Sequence, residues 1–271
     1  MSVAHGWKLL AGALLLLAWS PVPADEKQRP DEPFDDAFAF KTSQAALGRV
    51  LGNYRLVDTE GRSLSLQDFR GKPLLISLVY TSCYHTCPFI TRQLAKAAKI
   101  ARAALGDDSF ALLTIGFDAP NDTPDRMAAY AGEQGITLPG WRFASVDAAT
   151  SAALARDLGF VYRASSRGFD HLIQTTVVDG DGRIFQQIYG QDFAPPAVVE
   201  PLKQLLYGTR ANAVSISGWV NGLKLFCTVY DANSGRYVFD YSVFVALFAG
   251  IASTVAIAAF IVHAWRGSRL A

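Results

Sequence analysis

Apolar residues follow one another almost without polar alternation in two places, 74–79 (LLISLV) and 111–117 (ALLTIGF). Runs of that length suit strands buried on both faces of a sheet. Ahead of the first run, residues 54–58 and 63–66 flank Thr59-Glu60-Gly61-Arg62, which predicts a hairpin. Behind it come Tyr80-Thr81-Ser82-Cys83-Tyr84-His85-Thr86-Cys87-Pro88 and a helical stretch over 89–105. Pro88 belongs in a first helical turn, where its missing N–H costs nothing. After the second run, Thr123 before Pro124 offers a capping hydroxyl and then proline at the first helical position, so a helix is predicted from 124 to about 132. Residues 141–143 (WRF) form a short apolar piece that pairs or packs. Residues 147–158 read as a helix closed by Gly159, and 160–162 open a short strand. Residues 172–178 and 183–189 flank Asp179-Gly180-Asp181-Gly182, the strongest hairpin signal in the chain, and 195–207 predict a closing helix. Strands alternating with helices, then a hairpin and a helix, describe an α/β domain with a mixed sheet over 47–207.

The two ends have a different pattern. Residues 1–24 carry one lysine, Lys8, an apolar core over 9–19 and a small-residue close at Ala24, the form of an export signal. Residues 25–46 begin charged and proline-bearing (DEKQRPDEPFDD) and read as a linker. Residues 208–240 form a juxtamembrane segment with a turn at Asn233-Ser234-Gly235. Residues 241–265 contain no acid, lysine or arginine and are long enough to span a bilayer. Arg266 and Arg269 follow in a tail, 266–271, which places the C-terminus in the cytoplasm and the α/β domain outside. In a bacterium this means a single-pass protein of the inner membrane with a periplasmic domain. The hydrophobic share of 51% over 271 residues is above the usual for a soluble chain, and the excess lies in these two ends. A formal net charge of +1, with no Lys/Arg-rich block, gives no case for nucleic acid.

The chain has three cysteines. Cys83 and Cys87 fall where a central strand hands over to a helix, so the helix dipole and free N–H groups favour a thiolate. Two thiolates four residues apart can share a soft metal ion or close a disulfide. His171, just before a predicted strand, and His85, between the cysteines, are the competing nitrogen donors. Asp118 and Asp122 read equally well as turn and cap residues ahead of Pro124. Soft thiolates select Cu(I), and an added imidazole suits Cu(II). Zinc would use the same groups, but no general base for hydrolysis is evident. A peroxidase needs an arginine near its thiolate, and Arg92 and Arg126 are the residues to place. Cys227, left unpaired, has no assigned role.

The segment 80–88, with Phe117-Asp118, Asp122-Thr123-Pro124, Gly140-Trp141-Arg142-Phe143, Leu158-Gly159-Phe160 and Asp170-His171, resembles the Sco (SenC) family across about 51–207. Tyr84 stands where that family usually has proline. The tail, with Cys227 and Tyr230-Asp231 before the apolar span, resembles a subgroup with a C-terminal membrane helix. The resemblance implies a thioredoxin-like fold with copper held by Cys83, Cys87 and His171. It also implies a role in maturing the copper centre of cytochrome c oxidase. The expected partners are then the copper-bearing oxidase subunit or another copper protein, and a periplasmic thiol reductant. The alternative is a thiol–disulfide oxidoreductase that acts on a partner's cysteines through Cys83 and Cys87.

Overall fold

A computed structural model describes residues 33–208, 228–232 and 234–268. The expected signal, the first part of the linker (25–32), and residues 209–227 of the juxtamembrane segment, Cys227 among them, lie outside the described residues.

Seven strands form one mixed sheet in the order β2-β1-β5-β4-β3-β8-β9. They are β1 (Arg55–Asp58), β2 (Ser63–Ser65), β3 (Leu74–Val79), β4 (Ala111–Gly116), β5 (Trp141–Ser145), β8 (Gln174–Val178) and β9 (Ile184–Tyr189). The two apolar runs are β3 and β4, paired in parallel from Leu74↔Ala111 to Val79↔Gly116. Every residue of β3 except Leu78 is buried, as a strand covered on both faces requires. The piece 141–143 extends to a full strand, parallel to β4 and antiparallel to β1. β8 runs antiparallel to β3, and β9 completes the hairpin at that edge.

Helices α2 (Thr86–Leu105), α3 (Pro124–Glu133), α4 (Ala148–Leu158) and α5 (Pro196–Lys203) accompany the sheet. α2 buries Cys87, Ile90, Thr91, Leu94, Ala97, Ala98 and Ala101, a stripe with helical spacing. It starts three residues earlier than the pattern predicts, so Cys87 is helical. Thr123 caps α3 and Asp147 caps α4, each accepting an N–H of the first turn. The closing helix stops at Lys203 and relaxes into a wider π-type turn over Gln204–Gly208.

Two elements depart from expectation. Residues 36–44, within the stretch 25–46 read as linker, form helix α1 (Asp36–Gln44), which buries Ala39 and Ser43. Asp35 caps it at 2.8 Å from Phe38 N. The close of α4 makes room for it. Gly159 has φ 65°, and a Cβ there would lie 2.7 Å from the Thr42 carbonyl oxygen. The short strand expected at 160–162 begins at Tyr162 and leaves the main sheet. β6 (Tyr162–Ser165) pairs with β7 (Gly168–His171) as a separate hairpin.

A third hairpin, β10 (Thr228–Asp231) with β11 (Arg236–Phe239), turns where Asn233-Ser234-Gly235 predicts. It leads into α6 (Ser242–Ser268), whose stretch Phe244–Ile261 has a mean hydropathy of 2.4 and buries nothing. By length and composition, this helix is able to cross a membrane.

Candidate thiol and metal site

The site forms where β3 ends. The Cys83 N–H donates to the Tyr80 carbonyl at 3.1 Å, which folds the chain back over the strand end. The buried Asp122 carboxylate fixes the same loop. Its Oδ1 accepts from the Thr81 N–H and hydroxyl, both at 2.7 Å, and its Oδ2 accepts from the Asp118 N–H at 2.9 Å. One carboxylate thus binds the loop after β3 to the loop after β4. Burial raises its pKa, against the pull of the Thr81 donors. β4 ends on Gly116 because a Cβ there would lie 2.4 Å from Asp122 Cβ and 2.9 Å from Met127 Sδ.

Cys83 is half-buried, and Cys87, at 1% exposure, is buried in the first turn of α2. The Cys87 N–H donates to Cys83 Sγ at 3.4 Å, so the Cys83 sulfur does the work of a helix N-cap. The hydrogen bond from the Cys87 thiol is the largest influence on Cys83. With the N–H groups of Cys87 and His85 and the Tyr80 hydroxyl, it holds the thiol down to about 4 against the opposing effect of burial. Cys87 moves the other way, pushed up first by its bond to Cys83 and then by burial. The pair therefore holds one proton, with the thiolate at the more accessible sulfur.

His171 ends β7, on the excursion hairpin. Its Nδ1 lies 3.1 Å from the Leu172 carbonyl oxygen. A carbonyl only accepts, so Nδ1 carries the proton and Nε2 is left as a bare lone pair. The ring packs against Phe160 (5.2 Å between centroids), Phe117 (5.9 Å) and Tyr80 (6.3 Å). Burial in this aromatic cage lowers its pKa and keeps it neutral, although the Cys83 thiolate pulls the other way. Tyr80 touches both groups. Its ring lies beside His171 and its hydroxyl bonds Cys83, and burial, then the thiolate, raises that phenol to about 12.

The structure therefore joins Cys83 and Cys87 directly and places His171 against the ring of Tyr80, whose hydroxyl bonds Cys83. Among the described residues, no three His, Cys, Asp or Glu side chains are gathered closely enough to hold a metal ion as they stand. The donor chemistry fits a soft ion. It offers one thiolate, one thiol whose proton a soft ion would displace, and an imidazole whose second nitrogen is already tied to a backbone carbonyl. His85 is exposed and lines an outer concavity of ≈ 350 Å³ with Tyr84, Phe89 and Arg92. Arg92 is engaged with Gln134 Oε1 at 2.6 Å. Asp122 is a clamp between loops rather than a cap, because Thr123 takes the capping position. The parts played by Tyr80 and Gly116 are not visible in the sequence. The nearest signal is that Gly116 interrupts an otherwise apolar run.

The SCO1/SenC family model matches residues 42–207. The mouse SCO2 homolog, a mitochondrial protein, is 26% identical over 204 residues, covering 72% of this chain and 75% of that protein. Among solved structures, Bradyrhizobium japonicum ScoI with copper bound has a TM-score of 0.50 at 24% identity, covering 58% of this chain and 99% of the other. Arabidopsis thaliana ScoI with copper bound has a TM-score of 0.51 at 18% identity, covering 57% and 99%. The mixed sheet and its flanking helices are thioredoxin-like.

Proposed function

The chain belongs to the SCO1/SenC family, and from that premise we propose that it handles copper during assembly of the cytochrome c oxidase copper centre. Copper is the cargo, held by Cys83, Cys87 and His171. The observation that carries this reading is the shared environment of the three groups. Tyr80 contacts the Cys83 thiolate with its hydroxyl and the neutral His171 with its ring. Two sulfurs suffice for Cu(I), and the free Nε2 supplies the nitrogen that Cu(II) prefers. The ScoI structures with copper bound support the same cargo. We place the α/β domain in the periplasm, tethered to the inner membrane by α6 with the C-terminus cytoplasmic. The export-type segment 1–24 and the arginines Arg266 and Arg269 support that topology. The partners are the copper-bearing oxidase subunit or another copper protein, and a thiol reductant that keeps the pair open.

A second reading is favoured by the division of labour between the sulfurs. The Cys83 thiolate attacks one sulfur of a partner disulfide, and the partner's other sulfur leaves and takes up a proton. Cys87, losing its proton, then attacks Cys83 and releases the partner's second thiol. Two electrons pass to the partner, and Cys83–Cys87 is left as a disulfide.

His171→Ala separates the two readings. Under copper handling, Cu(I) binding by the reduced protein weakens modestly, while Cu(II) affinity falls sharply and the thiolate-to-copper charge-transfer band shifts. Disulfide exchange persists, and oxidase assembly fails in the mutant strain. Intact assembly without His171 favours the reductase. If only His85→Ala loses Cu(II), the nitrogen ligand lies inside the cysteine loop.

A further inference from the structure

The described residues just ahead of α6, 228–232 and 234–240, are folded onto the domain. β10 and β11 pair from Thr228↔Phe239 to Asp231↔Arg236, and β11 packs on α2. Lys203, the last residue of α5, is 4% exposed. Its Nζ donates to the Thr228 carbonyl on β10 and lies 3.5 Å from Glu200 Oε2. It also sits 5.8 Å from the centre of the Tyr237 ring on β11. The Tyr237 hydroxyl in turn donates to Glu200 Oε1 at 2.9 Å. A buried ammonium needs compensation, and here a carboxylate, a carbonyl and a ring face supply it from both strands and α5.

The far end of the hairpin is equally tied. Only Asp240 and Tyr241 separate β11 from α6. Phe239 packs on Tyr241 (4.8 Å) and stacks on Phe244 (5.9 Å, 24°) in the first turn of α6. Asp240 Oδ1 accepts the Ser242 N–H at 2.8 Å, which caps the helix. Contacts therefore run without a gap from α5 to α6.

The thiols lie at the opposite end of α2. Ala104, Leu105 and Gly106, at the close of that helix, share a concavity of ≈ 420 Å³ with Lys203, Thr228 and Tyr237. Cys87 is in the first turn of the same 20-residue helix, whose length is about 30 Å.

We propose that β10–β11 is a rigid stand, latched by Lys203, that fixes the domain on α6 and holds the thiol loop about 30 Å along α2 from the stand. A partner is therefore met at a set distance and angle, not by a domain moving on a leash. The kind of partner that fits is a membrane-anchored protein whose thiol- or metal-bearing part has a fixed position of its own. The proposal rests on the reading above only in taking α6 as the membrane helix, because the latch itself is internal to the domain.

The test is a pulsed dipolar distance measurement on the full chain. Cys83, Cys87 and Cys227 are replaced by serine, and spin labels are placed at Lys96→Cys, on the exposed face of α2, and at Ser242→Cys. The chain is reconstituted in phosphatidylcholine/phosphatidylglycerol nanodiscs. A single narrow distance is expected. Lys203→Met combined with Tyr237→Phe should broaden it about twofold or more while circular dichroism keeps the domain signal. Tyr237→Phe alone, which removes one hydroxyl, gives a smaller broadening in a chain whose fold is hardly disturbed. A broad distribution with the latch intact overturns the stand, and so does a width that neither variant changes. Flotation with vesicles of the same lipids separates the two claims. A chain that fails to float contradicts the membrane reading, and the same narrow distance is still expected in detergent micelles.

Discussion

At the scale of the residue, the two cysteines are unlike each other because of where they stand. Cys83 collects donors from the start of α2 and from Tyr80, while Cys87 is buried behind it with the shared proton. Alkylation of the reduced protein by iodoacetamide should therefore occur at Cys83 and persist to near pH 5. In Cys87→Ala the reaction should move toward the ordinary thiol range, as the Sγ–H donor is lost. The linkage has a definite sign. An unfolded Cys83 is protonated below about pH 8.5, whereas the folded one is not until about 4. Unfolding takes up that proton, so the stability this group contributes is present above the unfolded value and drains away as pH falls toward 4. The difference in Tm between the reduced protein and Cys83→Ser should shrink over that window. Asp122→Asn tests the loop clamp. An amide in place of Oδ2 presents a donor to the Asp118 N–H, and the expected cost is about 1–3 kcal/mol in denaturant unfolding, with lower Cys83 reactivity. The cysteine pair was legible in the sequence because its chemistry is local. The clamp was not, because it joins Thr81 to a carboxylate 41 positions away.

At the scale of the element, continuous apolar runs, capping residues and Asp-Gly turns state their structure within a dozen positions. β3, β4, α3, α4 and the β8–β9 hairpin could be read for that reason. α1 could not, because its apolar face is interrupted by exposed rings. Phe38 and Phe40 are 52% and 48% exposed, and the buried positions are the small Ala39 and Ser43. The β6–β7 hairpin was lost because none of its residues is fully buried, which leaves no alternation to detect. Gly159→Ala should show how α1 is held. The added methyl meets the Thr42 carbonyl, and the residue must also keep a left-handed φ of 65°. Together these should cost about 1–3 kcal/mol, with faster hydrogen exchange in α1 than elsewhere.

At the scale of the whole molecule, topology is the property to test. A reporter that works only in the cytoplasm should be active when fused after Ala271, and one that works only in the periplasm should be silent there. The opposite pattern would overturn the proposed orientation. Sheet order has one more consequence, and it concerns timing. β3, which carries the thiol loop, lies between β4 and β8, and β8 comes about ninety positions later in the chain. A chain supplied amino end first at about 5–20 residues per second shows its cysteines for roughly 5–20 s before the strand that completes their surroundings arrives. In the proposed periplasmic location, which is oxidising, Cys83 and Cys87 are near neighbours on a flexible backbone during that interval. The newborn domain is thus expected to close its own disulfide before it has folded, and to begin its working life only after reduction.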